Sequence, residues 1–92
     1  MQKAIVTVIG KDCVGIIARV SSLLAEHGVN ILDISQTVLG DEYFTMVMMT
    51  DVCAATLAFT QLQEHLTALG DSMHLKIHMQ HSDIFEAMHT VG

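Results

Sequence analysis

Apolar side chains along this chain repeat first every second residue, then every three to four, then every second residue through two runs, then every three to four, and finally every second residue again. A period of two marks a strand with one buried face, and a period near 3.6 marks an amphipathic helix. KAIVTVIG, residues 3–10, is rich in β-branched side chains and stops at a glycine, as a strand running into a turn would. Ile16, Ile17, Val20, Leu23 and Leu24 then fall on one helical face, with Arg19, Ser21, Ser22 and Glu26 opposite and Asp12 at the expected N-cap. This helix is predicted to stop at His27, before Gly28, which takes a left-handed C′ conformation without a Cβ penalty.

VNILDISQTVL and EYFTMVMMT are two further β-prone runs, and the polar break Gly40-Asp41-Glu42 between them predicts a hairpin. In the first run Leu32, Ile34 and Val38 alternate with Asp33, Ser35 and Thr37, the pattern of a half-buried strand. From Asp51 the period lengthens: Ala55, Phe59, Leu62, Leu66 and Leu69 form the seam of a helix expected to face the sheet and end at Gly70. MHLKIHMQ then alternates cleanly, Met73, Leu75, Ile77 and Met79 against His74, Lys76, His78 and Gln80. SDIFEAMHTV offers Asp83 and Glu86 as capping residues and a stripe of Ile84, Phe85, Met88 and Val91, so a final helix is predicted.

This order closes two split βαβ units into an α+β, ferredoxin-like βαββαβ sandwich. The expected architecture is one domain over residues 1–92: an antiparallel four-stranded sheet, two helices on one face and a short C-terminal helix. The opposite face is predicted to carry Ile5, Thr7, Ile9, Ser35, Thr37, Thr45, Val47 and Met49, too weakly polar to stand alone. A second subunit is the economical cover, and strand pairing at a sheet edge would serve as well. Composition leads the same way. Of 92 residues 51% are hydrophobic and 15% charged, and a chain of this length buries only about 60–65% of its unfolded surface. A homodimer is expected.

Four Lys and Arg against ten Asp and Glu give a net charge of −6. Phosphate backbones are bound by neutralising them with cations, so nucleic acid is excluded as an expected partner. No apolar run approaches the ~20 residues that span a bilayer, and the start MQKAIVTVIG lacks the pattern of a signal peptide, so no membrane partner is expected either. Two well-separated cysteines without a CxxC fit a reduced, cytoplasmic protein.

The stretch GKDCVGIIARV, residues 10–20, carries the chemistry. A glycine-containing turn before a helix suits an anion, because free N–H groups and the helix dipole converge there. Yet it is neither GxGxxG nor GxxxxGK[ST], and Asp12 puts a negative charge where a phosphate would sit. An acid beside exposed helix amides suits a zwitterion: the amides take a carboxylate and the acid an ammonium. From these residues alone a second reading stays open, in which Asp12 caps the helix while Gly10 and Gly15 serve turn geometry and close packing.

GKDCVGIIARVSSLLAEHGVNILDISQT resembles the opening of an ACT domain, whose hallmark is an acid or amide, two residues, a glycine and an aliphatic at the first turn, then GVNI as the second strand begins. EYFTMVMM and the tail HSDIFEAMHTV extend the likeness to an uncharacterised bacterial family of small stand-alone ACT proteins. The opening is also similar to the ACT portions of glycine-cleavage regulators and formyltetrahydrofolate deformylases. The resemblance implies a non-enzymatic regulatory module, without cofactor, that binds a small ligand such as an amino acid between two protomers. One protomer would supply Asp12, Cys13, Val14, Gly15 and Ile16, and the other Asn30 and Ile31. Where many members carry Arg-Pro before the glycine this chain has Cys13-Val14, which removes a fixed φ angle and a cation. The alternative is a module that dimerises or docks a regulatory protein partner and takes no small molecule.

Other chemistries fit the residues less well. Cys13 near a helix start would favour a thiolate, but no second cysteine or histidine base lies close in sequence. Among the six histidines, His74 and His78 on a regular strand would stand about 13 Å apart, too far to share an ion. His78 and His81 could converge at the strand end, joined by His65 or His89, but no compact ligand set is visible and no metal is expected. An RNA-binding sheet of this order would show aromatic and basic residues on its central strands, a copper carrier a CxxC in the first loop, and an acylphosphatase an arginine there.

Overall fold

A computed structural model describes residues 2–11, 14–40 and 42–82. Strand β1 (Lys3–Lys11) leads to helix α1 (Ile16–Glu26), strands β2 (Asn30–Leu39) and β3 (Tyr43–Asp51), helix α2 (Phe59–Met73) and strand β4 (Leu75–His81). The sheet order is β2-β3-β1-β4, and every neighbouring pair is antiparallel. The βαββαβ order and the four-stranded antiparallel sheet are those expected. The C-terminal helix predicted in SDIFEAMHTV lies, from residue 83 on, outside the described residues.

Alternation decides what each strand buries. Val6 and Val8 on β1, Met46 and Met48 on β3, and Leu75, Ile77 and Met79 on β4 all point into one core. Val20 and Leu24 from α1 and Leu62 and Leu66 from α2 meet them. The odd-numbered residues of the central strands take the other face: Ile5, Thr7 and Ile9 lie opposite Met49, Val47 and Thr45, which lie opposite Asp33, Ser35 and Thr37. That is the set expected from alternation, with Asp33 added to it.

The helix ends depart from expectation in instructive ways. Helix α1 starts at Ile16, with Gly15 as its N-cap at φ 86° and no side-chain cap bond. Asp12, expected to cap it, stands three positions earlier and lies outside the described residues. The chain reverses through the left-handed glycine, so the helix begins only after it. At the other end the expectation holds. The Gly28 N–H donates to the Ala25 carbonyl (3.1 Å) and the Val29 N–H to the Leu24 carbonyl (2.9 Å), a Schellman closure with Gly28 at φ 76°.

Helix α2 begins at Phe59, later than its apolar seam suggests, because Asp51 competes for the backbone. The Asp51 carboxylate accepts the Cys53 N–H at 2.9 Å and holds the chain in a turn. The N-cap is Ala58, whose N–H donates to Gln61 Oε1 (3.0 Å). It also runs past Gly70 to Met73 and closes on His74, in the left-handed region at φ 58°. Gly70 does not end the helix; it admits a neighbour. A Cβ there would sit 2.7 Å from the Leu75 carbonyl oxygen, so its absence lets β4 lie against α2. Met73 accordingly belongs to the helix, and β4 starts at Leu75.

Strand β2 is an edge strand with an irregularity: Ile31 pairs with Thr50 and Asp33 with Met49, so Leu32 is an extra residue in the ladder. Leu32, Ile34 and Val38, expected to be half-buried, are exposed at 40%, 39% and 52%. Ile34 and Val38 lie in register with the core residues Met48 and Phe44, but the helices cover the centre of the sheet and leave this margin open.

Candidate functional site

The first turn presents backbone more than side chains. Val14 is 99% exposed, Gly15 reverses the chain, and Ile16 is buried beneath them. The first intrahelical bond runs from the Arg19 N–H to the Gly15 carbonyl (2.9 Å). The N–H groups of the first turn before it have no partner within the helix, the usual condition of a helix start.

Beside this turn an open groove of about 320 Å³ separates the start of α1 from the far half of β2. Gly15, Ile16, Ile17 and Ala18 form one wall, and Gln36, Val38 and Phe44 the other. No described lining residue is charged. Gln36 was missed in the sequence because strand position alone does not bring it to the turn. The available signal was local: it is the polar interruption in the row Ile34, Gln36, Val38 on one strand face.

The expected site residues therefore separate into groups. Gly15 and Ile16 line the groove and Val14 stands exposed in the turn just before them, whereas Asp12 and Cys13 lie outside the described residues. Asn30 and Ile31 lie at the opposite end of β2, Asn30 in register with Asp51 while Val38 is in register with Phe44. Eight residues of strand span roughly 26 Å. A single chain does not bring Asn30 or Ile31 to the first turn.

Cys53 is a free, exposed thiol. His74 sits at the helix-to-strand junction and not on the strand with His78, and His81 stacks on Phe59 with ring centroids 3.8 Å apart. Among the described residues, no group of three or more His, Cys, Asp or Glu side chains is placed to hold a metal ion. No helix of the described residues is long and apolar enough to cross a membrane.

The sequence model of the ACT domain matches residues 2–80. The chain belongs to the ACT-domain family. This ACT domain is 51% identical over 88 residues to a UPF0237 protein of Listeria innocua, with 96% of this chain and 98% of the relative covered. It superposes with a TM-score of 0.79 on an ACT domain protein from Streptococcus pneumoniae, 49% identical, covering 92% of this chain and 94% of that one. A formyltetrahydrofolate deformylase from Pseudomonas syringae shares the fold alone: TM-score 0.81 at 22% identity, with 89% of this chain covering 28% of the enzyme. The family and the ferredoxin-like fold are thus those the first turn and the GVNI segment implied.

Proposed function

We propose that this ACT domain is a non-enzymatic regulatory module that binds a small zwitterion, an amino acid, between two copies of the chain in the cytoplasm. The observation that carries the reading is the uncovered margin of the sheet. β2 has a free edge, and Ile34 and Val38 stand exposed on its helix-side face, Val38 across the groove from Ile17, itself 37% exposed. Natural edge strands are usually blunted by charge, proline or a cover, and this one presents aliphatic side chains.

A second copy supplies the cover. Antiparallel pairing of two β2 edges about a two-fold axis lays the start of one strand beside the end of the other. The partner's Asn30 and Ile31 then approach the groove at Gly15, which they cannot reach within one chain. In that arrangement the amides of Val14 to Ile16 receive the ligand carboxylate, Asp12 receives the ammonium, and the partner's Asn30 supplies a donor and an acceptor.

Sedimentation at low micromolar concentration tests the assembly, and a clean monomer removes the site. A thermal-shift screen over amino acids tests the ligand: binding stabilises the fold by about 2.7 kcal/mol at a hundredfold excess over Kd. If no amino acid moves the transition and Asp12→Ala alters stability alone, the zwitterion reading fails. The same apolar margin favours one second reading, a purely structural module that dimerises or docks a regulatory protein. It predicts a stable dimer with no small-molecule response.

A further inference from the structure

Three of the described histidines make ring contacts, in two different settings. His81 lays its ring on Phe59, with planes 19° apart, an ordinary packing contact. His27 and His65 face each other across the groove between α1 and α2, with centroids 5.1 Å apart and planes tilted by 41°. The groove holds about 500 Å³, and Arg19, Ser22 and Glu26 line it together with the two rings.

Both rings stand on backbone that is held in place. His27 is the C-cap of α1; its N–H donates to the Leu24 carbonyl (3.2 Å), and its own carbonyl accepts the Thr56 N–H (2.9 Å) and hydroxyl (3.3 Å). His65 sits inside α2 beside Leu66, which is fully buried. Ligands on rigid elements lose little freedom when an ion binds.

The separation has a chemical meaning. A metal–nitrogen bond of about 2.0–2.1 Å places a coordinated imidazole centre roughly 3.2 Å from the ion, and a tetrahedral angle then sets two such centres about 5.2 Å apart. The observed spacing agrees. We infer that His27 and His65 form a two-imidazole binding site for a divalent transition ion, Zn²⁺, Ni²⁺ or Cu²⁺. Imidazole suits these ions, whereas Mg²⁺ and Ca²⁺ require oxygen cages. Among the described residues no third side chain completes a ligand set, so water fills the remaining positions. Glu26 and Arg19, both exposed, bring opposite charges to the groove and largely offset each other. The site shares one lining residue, Ala18, with the groove at Gly15 and stands independently of the amino-acid reading.

The test is calorimetric titration of the full chain with Zn²⁺ and Ni²⁺ at neutral pH, with wild-type histidine ring NMR recorded alongside. One ion per chain is expected, with affinity falling about tenfold or more in His27→Gln and in His65→Gln but unchanged in His78→Gln. Absence of saturable binding at millimolar metal overturns the site, as does equal binding by all three variants. If a variant fails to fold by circular dichroism, the wild-type spectra decide. Metal must move the His27 and His65 ring signals together, and movement of other rings instead refutes the assignment.

Discussion

The two edges of the sheet end differently. At the β4 edge, Leu75, Ile77 and Met79 are buried under α2, and Lys76, His78 and Gln80 face outward. At the β2 edge, Ile34 and Val38 occupy the core-side parity but are exposed, because no described helix reaches over them. One edge is completed by its own chain, while the other carries the same kind of side chain without its cover. Packing in the first region should therefore govern the stability of the protomer, and the second should govern what the protomer joins.

The largest effect should come from the finished side. Leu66→Ala removes a fully buried side chain from the α2–sheet contact and should cost about 2–5 kcal/mol in urea unfolding. A loss below about 1 kcal/mol would mean that α2 is not the anchor of the fold. Gly70→Ala should cost about 1–3 kcal/mol by the same measurement, since its Cβ would meet the Leu75 carbonyl oxygen at 2.7 Å and push β4 away.

Between the two edges, Thr50 of β3 donates its buried hydroxyl to the Ala4 carbonyl of β1 at 2.8 Å. Thr50→Val should lose about 0.5–1.5 kcal/mol, measured by thermal unfolding. The smallest effect on the fold belongs to the open edge. Val38→Lys should change protomer stability by less than about 1 kcal/mol yet shift sedimentation toward monomer. If Val38→Lys unfolds the chain as readily as Leu66→Ala, the contrast between the edges is wrong. Dimers that persist in it would place the interface elsewhere.

Strand and helix identity was readable because it depends on local spacing. Leu75, Ile77 and Met79 announce their shared face without reference to any other segment, and Gly28 announces the end of α1. Boundaries were less readable where a distant or competing bond sets them. The start of α2 waits for the Asp51 turn at Cys53, and Gly70 is helical because β4 returns against it. For the candidate site, Val14, Gly15 and Ile16 follow from the turn itself, while Gln36 enters only because antiparallel pairing carries the end of β2 back beside α1.

The sequence by itself determined the order of elements, the buried face of β1, β3 and β4, and the glycine-closed end of α1, because each depends on residues within a few positions of one another. Only the tertiary structure decided that β2 is an edge, that Leu32 stands outside its ladder, and that Asn30 lies at the far end of the sheet from Gly15. It alone also brought His27 to within 5.1 Å of His65. These are relations between segments far apart in the chain, fixed by which strands pair and how the helices cross them, and no local period encodes them.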